Sequence, residues 1–168
     1  MEKKILNDFC FHKPKTLDEA LVLIDKYQEN GLLMEGGSEV IPNMKSLVVT
    51  PDHIISLKHI PEFDYITYTP GEGLHIGPSC TLTKVEYDPN VQSVYPSLYM
   101  GVHGMSNTNI HNISTVTGNI CYAVPSADTA APLLTLNAEL SVKSVDGERK
   151  VPITELFAGV RRTTLKKN

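Results

Sequence analysis

The chain has 168 residues, 41% of them hydrophobic and 20% charged, and a formal net charge of −4 at pH 7. This length supports one buried core, or two small lobes that share a cleft. The 15 basic residues are fewer than the 19 acidic ones, and no basic cluster is interleaved with aromatic residues. The composition therefore lacks the electrostatic footprint of a protein that binds nucleic acid.

Membrane and metal signals are also missing from the sequence. No apolar run approaches the roughly 20 residues of a membrane-spanning helix, and the first residues lack the apolar block of a signal peptide, so we expect no membrane span and a cytoplasmic location. Three widely spaced cysteines, Cys10, Cys80 and Cys121, do not form a disulfide or cluster-binding pattern. Six scattered histidines show no ligand spacing, and we predict no metal site.

The first predicted element is a helix that opens after Thr16. Thr16 and Glu19 have the spacing of a capping box, and apolar residues then recur at helical intervals through Tyr27. The pair Asn30-Gly31 is expected to end this helix. Residues 32–34 then form a short apolar run that predicts a strand.

A glycine pair, Gly36-Gly37, follows this strand directly. Several backbone N–H groups of such a loop can point at one small volume, and Ser38 is a possible N-cap of a short helix that follows. A second strand at residues 54–57 completes a βαβ-like first lobe. Ligands commonly bind at the carboxyl ends of such strands.

The stretch from Asn109 to Leu140 contains the second candidate loop. We predict a turn at residues 117–119, where Gly118 would allow close backbone approach to a ligand. Short polar side chains surround it, and they suit an anion such as a phosphate. The same residues taken alone are also compatible with an ordinary structural turn. Asp128 similarly has two interpretations: it accepts from sugar hydroxyls, or it caps the helix expected from residue 130.

The remaining elements are predicted from turn signals and apolar periodicity. Gly71-Glu72-Gly73 indicates a hairpin turn before a strand. Helices are expected from residue 81 and within residues 96–105. A strand at residues 139–144 is expected to turn at Asp146-Gly147 and to return through residues 149–153.

Two of these stretches resemble a known family when they are taken together. Residues 33–45 resemble the first FAD-binding loop of the flavoprotein (medium) subunit of molybdenum hydroxylases, a group that includes xanthine dehydrogenase and aerobic-type carbon monoxide dehydrogenase. The family pattern there is Ala-Gly-Gly-Thr-Asp-Leu. Residues 110–140 resemble the family's Ile-Arg-Asn-x-Ala-Thr-Ile-Gly-Gly-Asn-Ile loop and the apolar segment downstream of it. Both motifs occur in the family's order.

The resemblance implies an α+β fold, the two-lobed FAD-binding domain of the vanillyl-alcohol-oxidase/CO-dehydrogenase flavoprotein type. The domain would occupy residues 1–168, with a small βαβ-like lobe over about 1–57 and a larger mixed lobe over about 58–168. By the family's standard, the last part of this domain is truncated and a further C-terminal domain is absent.

The resemblance also implies an FAD site, in which backbone N–H groups of residues 36–40 bind the diphosphate and Asp128 binds ribose or ribitol hydroxyls. Compared with the family pattern, Glu35 replaces a small residue, His111 replaces Arg, and Thr117 replaces Gly. No residue is a candidate acid, base or nucleophile. The predicted cofactor-binding residues are Met34, Glu35, Gly36, Gly37, Ser38, Glu39, Val40, Thr115, Gly118, Asn119, Cys121 and Asp128.

The function that the resemblance implies is electron transfer within an oxidoreductase complex. The partners would be a large subunit that binds molybdopterin and a small subunit with 2Fe–2S clusters, and NAD is one possible acceptor. The alternative is a flavin-free scaffold subunit, in which Glu35, Thr117 and the missing C-terminal part abolish cofactor binding while the fold is kept.

Overall fold

The computed structural model describes residues 6–166 of the chain. The expectation about the first residues, 1–5, lies outside this range. The described strands are β1 (Cys10–His12), β2 (Gly31–Met34), β3 (His53–Ser56), β4 (Ile66–Thr69), β5 (Gly73–Ile76), β6 (Glu139–Ser144), β7 (Gly147–Pro152), β8 (Phe157–Gly159) and β9 (Arg162–Thr163). The described helices are α1 (Leu17–Tyr27), α2 (Val40–Lys45), α3 (Leu82–Tyr87), α4 (Pro89–Val94), α5 (Pro96–His103), α6 (Thr108–His111), α7 (Val116–Tyr122) and α8 (Ala130–Thr135).

The N-terminal part is a three-stranded parallel sheet with the order β1-β3-β2. Helix α1 connects β1 to β2, and α2 connects β2 to β3. The central strand β3 carries Ile54 and Ile55, which are fully buried. The predicted βαβ-like lobe is thus confirmed, although the sequence analysis missed β1. A three-residue strand is too short to show an alternation of apolar and polar residues.

Helix α1 begins as predicted, and its end differs from the prediction. The Thr16 hydroxyl accepts from the Glu19 N–H, and the Glu19 carboxylate accepts from the Lys15 N–H at 2.7 Å, one residue before the partner expected in a capping box. The α-helix ends at Tyr27 and passes into a 3₁₀ turn. Gly31 is extended and opens β2, where its missing Cβ allows close contact with Tyr27.

Three antiparallel hairpins belong to the rest of the chain: β4-β5, β6-β7 and β8-β9. The predicted turn at Gly71-Glu72-Gly73 joins β4 to β5, and both glycines of this turn have positive φ. The predicted turn at Asp146-Gly147 joins β6 to β7. Both hairpin predictions are confirmed.

Helices α3 to α8 pack with these hairpins around the main hydrophobic core. Helices α3, α5 and α8 lie close to their predicted positions, whereas the short helices α4 and α6 were not predicted. The chain is therefore an α+β fold, as expected. The buried core residues are Cys80, Leu82, Val85, Val91, Leu98, Val102, Met105, Val116, Ile120, Leu133, Ile153 and Leu156. No helix within residues 6–166 is both long enough and apolar enough to cross a membrane.

Leu156→Ala tests the position of this core. The Leu156 side chain is completely buried, so its truncation should lower the free energy of unfolding by about 2–5 kcal/mol through lost burial and a residual cavity. Urea denaturation followed by circular dichroism measures this loss. Leu136→Ala is the matched control, because Leu136 is exposed and should lose less than about 1 kcal/mol. Equal losses in the two variants would contradict the assigned core.

Candidate functional site

The first candidate loop leaves the carboxyl end of β2 and packs directly on the second one. A Cβ placed on Gly36 would lie 1.8 Å from the backbone oxygen of Ile113, and 2.5 Å from its carbonyl carbon. These distances are far below van der Waals contact, so only glycine fits at this position. Gly37 has a positive φ of 75°, which turns the chain towards α2. The two glycines therefore have different roles.

The backbone N–H groups of residues 37–40 remain available. Within the part of the chain that the structure describes, none of them donates a hydrogen bond to a protein acceptor. The carbonyl groups of Gly37 and Glu39, in contrast, accept from Ile41 and Asn43 and start α2. Successive N–H groups around a residue with positive φ form a concave donor surface that suits an anion.

Ser38 does not cap α2, contrary to the prediction. The N-cap residue is Glu39, and its side chain makes no capping hydrogen bond. The Ser38 hydroxyl instead accepts from the Ser114 hydroxyl at 2.8 Å. This hydrogen bond joins the two candidate loops, which are 76 residues apart in sequence.

The second candidate loop also differs from the prediction. Residues 117–119 form the first turn of α7 rather than a loop turn. Thr115 is the N-cap of this helix, and its hydroxyl accepts from the Gly118 N–H at 2.9 Å. Thr117 lies within the helix, so the Gly to Thr difference from the family pattern requires no positive φ. The polar run was taken for a turn because Thr, Gly and Asn all favour turns as well as helix starts.

The Asn119 side chain is hydrogen-bonded to the segment before α8. The fully buried Thr129 hydroxyl donates to the Asn119 Oδ1 at 2.5 Å. This bond assigns the amide orientation, and it leaves the Nδ2 group as a donor for another partner.

Asp128 is exposed and does not cap α8. The N-cap residue is Thr129, which makes no capping hydrogen bond through its side chain. The capping interpretation of Asp128 is therefore wrong.

The Glu35 carboxylate is directed at the second half of the molecule. It accepts from the buried Ser79 hydroxyl at 2.6 Å. Burial raises the pKa of Glu35 above its usual 4.5, although the Ser79 hydrogen bond and the Lys58 charge partly oppose this increase. The Glu35 carboxylate thus has a hydrogen-bond partner, Ser79, within the protein.

Three further residues support the site, and none of them is among the predicted cofactor-binding residues. The Asn43 side-chain amide on α2 donates to the Tyr122 hydroxyl at 3.2 Å. The Arg161 guanidinium lies 5.2 Å from the centre of the Tyr122 ring, and the Arg161 N–H donates to the Ala123 carbonyl. These contacts join α2, α7 and the β8-β9 hairpin. The position of Asn43 within the first motif was the only sequence signal for these three residues, because contacts between distant parts of the chain leave no local pattern.

Met34 and Cys121 lie on elements that adjoin the two loops. Met34 is the last residue of β2, and its sulfur would lie 3.1 Å from a Cβ on Gly37. Cys121 lies on α7 and is exposed. Within residues 6–166, no group of three or more His, Cys, Asp or Glu side chains is placed to hold a metal ion.

Gly36→Ala tests the contact between the two loops. The added methyl group meets the Ile113 backbone oxygen, so the loops must separate, and the free energy of unfolding should fall by about 2–3 kcal/mol. Thermal or urea denaturation measures this change. Gly104→Ala is the matched control, since its nearest atom is 3.3 Å away. A Gly36→Ala protein as stable as this control would show that the loops do not pack as described.

Glu35→Gln tests the partly buried carboxyl of Glu35 through the pH dependence of stability. Because the pKa of Glu35 is raised in the folded state, the wild-type protein should lose stability as the pH rises from the usual value of 4.5 through the raised value. Gln does not titrate, so the variant should be the more stable protein at neutral pH, and the difference should vanish in acid. Urea denaturation at several pH values measures this, with the exposed Glu39→Gln as control. A variant less stable than wild type at neutral pH would contradict the assignment.

Comparison with known proteins places this geometry in a family. Residues 7–168 match the profile described as "FAD binding domain in molybdopterin dehydrogenase". The nicotinate dehydrogenase FAD-subunit of Eubacterium barkeri is 30% identical over 155 residues, covering 92% of this chain and 52% of that protein. A putative xanthine dehydrogenase FAD-binding subunit of Escherichia coli K12 is 32% identical over 160 residues, covering 94% and 54%.

A solved structure shows the same fold. Carbon monoxide dehydrogenase from Hydrogenophaga pseudoflava, in a form that lacks the Mo-pyranopterin moiety of the molybdenum cofactor, superposes with a TM-score of 0.93 at 27% identity. The match covers 98% of this chain and 57% of that one. The chain thus spans about half the length of the curated relatives it matches. Because the family profile matches almost the whole chain, the protein belongs to the FAD binding domain family of molybdopterin dehydrogenases.

Proposed function

We propose that this chain is the FAD-binding, electron-transferring part of a molybdopterin-containing dehydrogenase complex. FAD is the cofactor of the family to which the chain belongs. The observation that carries the proposal is the set of free N–H groups at residues 37–40, held against the second loop by the Gly36 contact with Ile113. A dinucleotide has one diphosphate, and such a donor surface is suited to bind it.

The residues of the first loop fit this cofactor. Coulomb repulsion between a carboxylate and a diphosphate is unfavourable at short range, but the Glu35 carboxylate is hydrogen-bonded to Ser79. The N–H groups of Gly37, Ser38, Glu39 and Val40 are the donors that we assign to the diphosphate.

The second loop supplies the other contacts in this proposal. Gly118 is exposed on the first turn of α7, so the cofactor can lie against its backbone without meeting a side chain. Thr115 holds this turn, and the Asn119 Nδ2 group is a donor towards the cofactor. We assign Asp128, whose carboxylate is exposed, to the sugar hydroxyls. Met34 and Cys121 border the region.

The proposed partners follow from the relatives. FAD carries the redox chemistry when it is bound, and the protein supplies its position and its electrostatic surroundings. By analogy with multisubunit relatives such as the carbon monoxide dehydrogenase medium chain of Hydrogenophaga pseudoflava, we propose a large molybdopterin-binding subunit and a small iron–sulfur subunit. Electrons from the small subunit would leave through this chain to NAD or to another acceptor.

The departures from the family pattern do not favour the flavin-free alternative. Glu35 is engaged by Ser79, and Thr117 lies in a regular helix. The alternative nevertheless makes a different prediction. A flavin-free scaffold would remain folded and colourless in the presence of excess FAD.

Gly118→Leu tests the proposed cofactor site. Its side chain would cover the exposed turn of α7, so we expect FAD to bind at least about tenfold more weakly, or about 1.4 kcal/mol, while the fold is kept. The visible absorption spectrum and the quenching of flavin fluorescence measure binding, and circular dichroism measures folding. Gly104→Leu, at the end of α5, is the matched control and should bind FAD as wild type does.

Two results would contradict this function. A wild-type chain that is folded and stays colourless with excess FAD would favour the scaffold alternative. Equal FAD affinity in the Gly118→Leu variant and in the control would remove α7 from the site. In the assembled complex, Gly118→Leu should also slow reduction of NAD or of another flavin-dependent acceptor when FAD is limiting, while reduction of a dye by the iron–sulfur clusters continues.

A further inference from the structure

A cluster of ionisable side chains, His111, His103 and Glu86, lies on the helices next to the second loop. His111, the last residue of α6, is buried. Its Nδ1 lies 2.8 Å from the Glu86 Oε2, and its Nε2 lies 2.6 Å from the Met105 carbonyl oxygen. The His103 Nδ1 lies 2.8 Å from the other Glu86 oxygen.

The two ring nitrogens of His111 have oxygen partners on different elements. The Met105 carbonyl, which follows α5, can only accept, so the Nε2 nitrogen donates to it. The Glu86 carboxylate on α3 is the partner of the Nδ1 nitrogen. Hydrogen bonds from His103 and His111 keep the pKa of Glu86 below its usual range. The His111 ring therefore joins α6 both to α3 and to the end of α5.

Few other ionisable groups surround the His111 ring in the described part of the chain. Glu86 on α3 faces it directly, and His103 on α5 reaches the same carboxylate from the exposed side. The remaining titratable group around the adjoining cavity of about 230 Å³ is Tyr87 on α3.

Helix α6 is hydrogen-bonded directly to the second loop. The Ser114 N–H donates to the carbonyl of Ile110 in α6, and the Ser114 carbonyl accepts from the N–H of Leu82 at the start of α3. The next contacts are the Ile113 oxygen against Gly36 and the Ser114 hydroxyl on Ser38. A second hydrogen bond joins α3 to the end of α6: the Thr83 hydroxyl donates to the Asn112 side chain at 2.8 Å.

We propose that His111 is a positioning residue for the flavin site, which fastens α6 to α3 and thereby holds the second loop against the first. This proposal rests on the proposed function. Without the His111 ring, the Glu86 carboxylate and the Met105 carbonyl lose the partner that they share, and residues 113–115 lose the support that α6 gives them. FAD affinity therefore falls when the ring is replaced by a side chain that cannot reach both oxygens.

The experiment uses the full chain and four variants. His111→Arg supplies several donors from one planar group, and the cavity beside His111 has room for the longer side chain. His111→Gln has a single side-chain amide, which cannot reach both oxygens. Glu86→Gln removes the charged acceptor, and His103→Gln is the matched control, because it removes a partner of the same carboxylate on the exposed side. FAD affinity is measured by flavin fluorescence at one fixed pH for all proteins.

His111→Gln and Glu86→Gln should bind FAD about tenfold more weakly than wild type. His111→Arg and His103→Gln should bind FAD as wild type does. Wild-type affinity in His111→Gln would overturn the proposal, as would equally weak binding in His111→Arg and His111→Gln.

Hydrogen exchange separates this proposal from the proposed function. In the FAD-free chain at one fixed pH, backbone amides of residues 113–119 should exchange faster in His111→Gln than in wild type or His111→Arg. If no protein binds FAD and this difference is present, the proposed function fails and the positioning role of His111 stands. Equal exchange in all variants overturns the positioning role, whether FAD binds or not.

Discussion

The contact between Gly36 and the Ile113 carbonyl is the constraint on which the candidate site depends. It brings a loop of the N-terminal parallel sheet onto a segment 77 residues further along the chain, at a distance that no side chain could tolerate. The Ser38–Ser114 hydrogen bond then sets the relative position of the two loops, and the Asn43–Tyr122 hydrogen bond repeats the connection one helix further on. Because these contacts use side chains and carbonyl groups, they leave the N–H groups of residues 37–40 unused. Donors that are already in place bind an anion without a large cost of reorganisation.

Two carboxylates near the loops are paired with donors from other elements. Glu35 is hydrogen-bonded to Ser79, and Glu86 is bonded to two histidines. Burying a charge is unfavourable unless a partner compensates it, so each of these carboxylates is matched to a donor from a different element. These bonds connect the N-terminal sheet to the segment before α3, and α3 to α5 and α6. The polar groups thus help to hold the two loops in place.

Much of the fold could be predicted from local patterns. The helix at residues 17–27 had a capping signal and apolar periodicity, and the two glycine-containing hairpins had recognisable turns. The candidate loops were located by their glycines and short polar residues, and the family resemblance gave them a cofactor. What failed was the local geometry, because Thr115 to Asn119 starts a helix and Thr129 takes the position expected for Asp128. Residues such as Tyr122 and Arg161 were missed, since their roles depend on contacts between distant parts of the chain.

The most direct test of the account is a solution NMR comparison of FAD with riboflavin, which lacks the diphosphate. If residues 37–40 bind the diphosphate, their amide nitrogen and proton signals should shift on addition of FAD and should stay in place on addition of riboflavin. Signals of residues 118 and 119 should respond to FAD as well, because the second loop shares the cofactor. Unchanged signals of residues 37–40 in a chain that binds FAD would contradict the account, as would equal shifts with riboflavin.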